Sequence, residues 1–171
     1  VIQIIMSLEE KINQFREKYY SENKKAIFFK NSQKLDCAKE ITQKFSVHEL
    51  LNKSIYIDHD KIMVNYPLIK TFINPTIYSN ILQHGEYLIC VILSNYPYFE
   101  VHLDAQSFTV TAAQRYHNMI KEFLKSNKYR QYEEKLKHVY IMNPPNILSI
   151  LKNMFHPFIS DSTKNKIIIV K

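Results

Sequence analysis

The chain has 171 residues, 46% of them hydrophobic, which suits one folded unit with a sizeable core and argues against a disordered segment. Lys and Arg outnumber Asp and Glu by 23 to 16, and the net charge of +7 favours an anionic partner, either a membrane surface or nucleic acid. A single glycine excludes phosphate-cradling and dinucleotide-binding glycine loops; Cys37 and Cys90 give neither a disulfide framework nor a zinc site; and no apolar run approaches the ~18 residues of a membrane span.

In chain order, Ser7-Leu8-Glu9-Glu10 is a capping-box pattern, and Leu8, Ile12, Phe15 and Tyr19 follow at helical spacing, predicting an amphipathic helix over residues 7–22. Leu35, Ala38, Ile41 and Phe45 predict a second helix over 32–45. Ser46-Val47-His48-Glu49 opens a third, short one. Ile55-Tyr56-Ile57, the turn Asp58-His59-Asp60 and Ile62-Met63-Val64 read as a hairpin at the beginning of a sheet. Asn74-Pro75 is an N-cap and first-turn pair for a helix carrying Ile77, Ile81, Leu88 and Ile92, although 88–93 reads equally well as a buried strand. Residues 99–103 alternate like a strand, and Thr111 is a cap for a helix on Tyr116, Met119, Ile120, Phe123 and Leu124. Strands separated by helices imply a mainly parallel sheet with right-handed crossovers, an α/β fold.

In the last third, His138-Val139-Tyr140-Ile141-Met142 is a strand ended by Asn143-Pro144-Pro145, since proline supplies no N–H to a ladder. From Pro145, Ile147, Ile150, Leu151, Met154 and Phe158 recur at three- and four-residue spacing. Leu148 and Phe155 widen that stripe, while Ser149, Asn153 and His156 face away. Pro157 breaks the helix near its end. After Ser160-Asp161-Ser162-Thr163-Lys164-Asn165-Lys166, the run 167–170 reads as a strand covered on both faces.

Strand, Asn-x-Pro turn, helix closing in Pro-Phe, Thr-x-x-Lys turn and strand together resemble the CRAL-TRIO lipid-binding domain. The resemblance covers residues 50 to 171 and is strongest from 130 onward. It implies an apolar pocket under a gate-like helix over 145–158, holding one phospholipid, with phosphatidylinositol or a phosphoinositide as the candidate. Ile147, Leu148, Ile150, Leu151, Met154, Phe155 and Phe158 would line the helix side of the pocket. Phe99, Val101, Leu103, Val139 and Ile141 would line the strand side. The family's headgroup positions correspond to Glu134, Thr163 and Lys166, where an ammonium and a hydroxyl donate to phosphate and a carboxylate accepts from inositol hydroxyls. The plain reading of the same three is a linker Glu and a polar turn. At Leu103-Asp104-Ala105-Gln106-Ser107-Phe108 many members have Asp-Leu-x-Gly, and the missing glycine points to a divergent branch resembling the Cdc42GAP-homology and ganglioside-induced differentiation proteins. Phe99 and Val101 stand where the transfer proteins use hydroxyls for choline lipids, so that route is disfavoured.

These readings make residues 1–50 an N-terminal helical segment and 51–171 the lipid-binding core of one folded unit. The chain opens on Val1, so either Met6 is the natural start or the sequence is a fragment, and the family's usual C-terminal segment is expected to be absent or unrecorded. The expected protein is not an enzyme, needs no cofactor beyond bound phospholipid, carries no metal, and sits in the cytoplasm and peripherally at anionic membranes. Its gate would hinge at 143–145 and at Pro157, with Lys152, Lys164 and Lys171 near the bilayer. A protein-interaction module for small GTPases is the second reading. The seven histidines lie singly, without metal-site spacing, and the twelve tyrosines come with no RNA-binding signature, so nucleic acid is disfavoured.

Overall fold

Glu10 N–H donates to Ser7 Oγ (3.2 Å) and Ser7 N–H to Glu10 Oε2 (2.7 Å), closing the capping box at the head of α1 (Leu8–Glu22). The computed structural model describes residues 6–24, 27–146 and 148–170; Ile147 and Lys171, to which the sequence reading gives roles, lie outside the described residues, as does the Leu148 side chain. Next come α2 (Lys30–Lys44) and α3 (Val47–Ser54), the latter capped by the Ser46 side chain. β1 (Ile55–Asp58) and β2 (Lys61–Asn65) form the expected hairpin, with His59 at φ 59° in its turn.

A short helix, α4 (Tyr66–Ile69), follows at once and escaped the sequence reading. Asn65 caps it by accepting from Leu68 N–H at 3.1 Å, and Pro67 sits in its first turn. Asn74-Pro75 caps a single 3₁₀ turn that leads into α5 (Tyr78–Leu93), so 88–93 is helix. β3 (Phe99–Asp104) leads to α6 (Val110–Lys125), whose cap is Thr109 and not Thr111, because the Thr109 hydroxyl is the one that accepts from Ala112 N–H, at 3.1 Å. α7 (Asn127–Tyr132), β4 (Leu136–Met142), α8 (Leu148–Phe155), α9 (Asp161–Lys164) and β5 (Ile167–Val170) complete the order. The helix expected over 145–158 is therefore shorter in its regular part and ends in a 3₁₀ turn over His156–Phe158, around Pro157.

The sheet runs β1-β2-β3-β4-β5, with β1 and β2 antiparallel and every other pair parallel. Register sets Ile62, Val101, Val139 and Ile167 side by side, and likewise Val64, Leu103, Ile141 and Ile169, so alternation places all eight on one face. Phe99 is buried in the core there. Val101, Leu103 and Val139 pack against a core that also holds Leu88, Ile89 and Ile92 of α5, Tyr116 of α6, and Ile12, Cys37 and Ile41 of α1 and α2. These four strand residues were expected to line a lipid pocket; Phe99 lies within the core, and Val101, Leu103 and Val139 are half-buried against it. Ile141 lies outside the core cluster. β5 differs too: it was expected to be covered on both faces, yet it is the edge strand of the described sheet, with Ile169 and Val170 exposed.

One buried side chain fastens the N-terminal helices to this sheet unit. Asn74, 1% exposed, donates through Nδ2 to Phe72 C=O (2.9 Å), Thr42 Oγ1 (3.2 Å) and Ala38 C=O (3.4 Å), while its Oδ1 accepts from Thr76 N–H (3.1 Å) and Thr76 Oγ1 (2.6 Å).

The opposite sheet face carries the row Tyr56, Met63, His102, Tyr140 and Ile168, with His102 stacked on Tyr140 at 4.5 Å. Beside it the buried Glu100 carboxylate meets His102 Nε2 (3.1 Å), Lys137 Nζ (3.2 Å) and His138 Nδ1 (3.4 Å). Burial alone would raise the Glu100 carboxyl, but the hydrogen bonds from these three side chains outweigh it and hold the group below the usual carboxylate range. A depressed carboxyl contributes stability above its unfolded pKa and loses it as pH falls through its folded value. Glu100→Gln should therefore cost about 1–3 kcal/mol at neutral pH, with the gap to wild type closing in acid, as read by urea unfolding across that range.

Candidate functional site

At the amino ends of β4 and β5, two turns meet. Ser160 caps α9 by accepting from Thr163 N–H at 3.1 Å, which turns the Thr163 side chain inward, where it is buried. Its hydroxyl donates to Glu133 Oε1 (2.8 Å) and lies 3.1 Å from the Tyr129 hydroxyl, and Ser160 Oγ also bonds to Glu133 Oε1. Lys166 Nζ donates to the Glu133 carbonyl at 2.7 Å. Burial raises the Tyr129 phenol, the Thr163 hydrogen bond opposes that, and the Glu133 charge adds to the rise, so the phenol stays protonated.

Two of the three expected headgroup residues, Thr163 and Lys166, are thus together. The third, Glu134, is exposed, and the carboxylate that reaches the cluster belongs to its neighbour Glu133. A one-residue offset on a 3₁₀ turn rotates the side chain by about a third of a circle, so spacing along the chain did not separate the two. Tyr129 and Ser160 were missed as members. Ser160 was legible as a cap three residues before Thr163; Tyr129, 34 residues away in sequence, left no such signal.

The apolar half of the expected site is built from α8. Phe155 is buried with its ring stacked 5.8 Å from His117 of α6, Phe158 meets the same imidazole edge-on at 5.8 Å, and Lys125 Nζ lies 5.0 Å from the Phe158 ring centroid. These contacts seat α8 on the flank of α6. Leu151, Met154 and Phe158 are half-buried and lie outside the core cluster, as does Ile141 on β4, while Ile150 of the same expected stripe is 49% exposed. Lys164, expected near a bilayer, pairs with Asp161 at 2.8 Å. Ser107 adds a second point: at φ 63° it holds the left-handed backbone that glycine adopts freely, at the place where the resembled pattern has its glycine.

A mainly parallel, helix-flanked sheet with an apolar helix between its last two strands defines an α/β domain of the architecture that the sequence resemblance implied. Residues 101–171 match the CRAL/TRIO domain. Among solved structures, the chain resembles the one titled "Crystal structure of Sfh5", with a TM-score of 0.56 and 16% identity over 94% of this chain and 70% of that one. At that identity the likeness speaks for the fold. No curated protein matches the sequence.

The buried hydroxyl cluster gives a direct test. Thr163→Val keeps the side-chain volume but removes the buried hydroxyl that Glu133 and Tyr129 share, so it should destabilise the fold by about 1–3 kcal/mol in urea unfolding, and Glu134→Ala should leave it unchanged.

Proposed function

We propose that the protein binds one phospholipid, with its acyl chains between α8 and the β4–β5 half of the sheet and its headgroup near Thr163 and Lys166, and moves or presents it at membranes. The observation that carries this reading is that the apolar side chains Leu151, Met154, Phe158 and Ile141 are half-buried yet stand outside the core; Ile167 and Ile169, on the same sheet face as Ile141, stand outside it too. Apolar surface left out of a core is stabilised by an apolar occupant. The match over residues 101–171 supports the same reading, since those residues contain β4, α8 and β5. The ammonium of Lys166, held at the mouth by the Glu133 carbonyl, is suited to a phosphate oxygen, and an inositol headgroup offers hydroxyls to the Glu133 carboxylate. Replacement of a glycine by Ser107 supports placement in a divergent branch of the family.

Native mass spectrometry of undenatured protein should show one co-purified phospholipid. Met154→Trp with Ile141→Trp fills the space and should cut uptake of a fluorescent phospholipid by roughly tenfold while circular dichroism is unchanged; folded double mutant with wild-type uptake removes this location. Lys166→Ala should weaken binding of an inositol lipid by about 1–3 kcal/mol, and equal affinity in wild type and variant would leave Lys166 a structural group.

A further inference from the structure

At the other end of the sheet, beyond the carboxyl ends of β2 and β3, lies a cavity of about 160 Å³ lined by Arg16 of α1, Lys34 of α2, Tyr66 and Lys70 of α4 and its C-cap, Ser107, and Arg115 of α6. Four cations line it, and none of its described lining residues is acidic. Nor do any of the four make an ion pair with a carboxylate among the described residues.

The cluster is arranged as well as charged. Lys70 Nζ donates to Ser107 Oγ at 2.7 Å, and Arg115 donates through Nη2 to Asn31 Oδ1 (2.6 Å) and through Nη1 to Tyr116 Oη (3.3 Å), while its Nε is buried with no hydrogen-bond partner. Burial and then the neighbouring cations Arg115, Lys70, Lys30 and Arg16 push the Lys34 ammonium below its ordinary value; burial and Arg16 do the same to Lys70. Like charges gathered this way destabilise the empty protein, and an unpaired buried guanidinium N–H adds to the cost, so the arrangement is relieved by an anion with several acceptor oxygens.

A second observation fixes where that anion resides. Immediately before α2, Ile27, Phe28 and Phe29 are 77%, 90% and 73% exposed, three consecutive large apolar side chains in water. Phe29 is the N-cap of the helix that carries Asn31 and Lys34, and Lys24 and Lys30 flank the tip. Exposed aromatics ringed by lysines beside a phosphate-sized basic cavity match a bilayer surface, which offers hydrocarbon and anionic headgroups in adjacent layers. A soluble anion gives the aromatic tip nothing to bury against.

We propose that the cavity of Arg16, Lys34, Lys70 and Arg115 and the Ile27-Phe28-Phe29 tip form one docking site for a phosphate-bearing lipid headgroup at an anionic bilayer surface. The site lies at the opposite end of the sheet from Thr163 and Lys166, so it stands whether or not the protein carries a lipid between α8 and the sheet.

The test is co-sedimentation of the full chain with phosphatidylcholine vesicles, with and without phosphatidylinositol monophosphate, alongside titration with a soluble inositol phosphate. Wild-type protein should bind the doped vesicles selectively, less so as salt is added. Lys34→Gln with Lys70→Gln, and separately Phe28→Ser with Phe29→Ser, should each lower that binding by roughly tenfold or more, while Lys70→Arg retains it. The tip residues touch no core, so the second pair tests docking even if the first perturbs folding. The unliganded lysine variant should also melt higher than wild type, which a merely structural role for these cations does not predict. The proposal is overturned if doped vesicles bind no better than phosphatidylcholine alone, if the folded tip variant binds as wild type does, or if the soluble inositol phosphate binds as tightly as the vesicles. Failure of the carrier reading has a separate signature, the absence of co-purified lipid.

Discussion

The Asn74 amide is the constraint on which the arrangement of this molecule depends. It is a fully buried polar group in an apolar core, tolerable only because all its hydrogen-bonding capacity is spent on Phe72, Ala38, Thr42 and Thr76. Two of those partners lie on α2 and two within the segment between α4 and α5, so the amide sets the position of α2 relative to the sheet unit. Apolar contacts such as Ile41 with its neighbours hold that helix down, but they tolerate sliding; a set of directed hydrogen bonds does not. With α2 fixed there, Lys34 is brought over Lys70 and Arg115, which come from distant parts of the chain.

The sheet keeps two kinds of chemistry apart. At the amino ends of β4 and β5, a carboxylate, two hydroxyls and a phenol satisfy one another around Thr163, and the single ammonium there is tied to a carbonyl. At the carboxyl ends of β2 and β3 the charges are of one sign and unpaired with carboxylates. In the first arrangement opposite partners sit within hydrogen-bonding distance; in the second the cations face one another. Between them lies an apolar face whose core cluster draws on α5 and α6 and not on α8, and the helices differ in length: α5 and α6 have 16 residues each, α8 only 8.

Much of this was legible where local rules govern. Ser7 with Glu10, Ser46 with Glu49 and the 55–64 hairpin were readable because capping and turn signals lie within a few residues of the backbone groups they satisfy. The expectation failed where the decisive neighbour is remote. Phe99, Val101 and Leu103 alternate identically whether they face a lipid or α5, and only the position of that helix decides. Ile167 to Val170 read as a doubly covered strand because apolar composition does not distinguish a central strand from an edge. Thr109 and Thr111 are equally good caps by residue type, and the choice falls to whichever one the chain holds in extended conformation. The basic cavity left no pattern at all, since its four cations come from positions 16, 34, 70 and 115 and meet only in the folded chain.

Among the described residues, the three with left-handed backbone, His59, Ser107 and Asn143, are not glycines, and the one glycine, Gly85, lies within α5. Each of the three has its side chain tied to a neighbour: His59 Nδ1 lies 2.7 Å from Asp58 Oδ1, Ser107 Oγ accepts from Lys70 Nζ at 2.7 Å, and Asn143 Nδ2 donates to Asp104 Oδ1 at 3.0 Å. A glycine would relax the backbone and sever the tie. The chain has thus exchanged torsional ease for side-chain wiring at its corners, and a chain so poor in glycine has fewer conformations to give up on folding. Its corners are accordingly held by side-chain ties, two of which reach other parts of the chain, so a substitution at Lys70 or Asp104 would be felt in a turn that the substituted residue does not itself form.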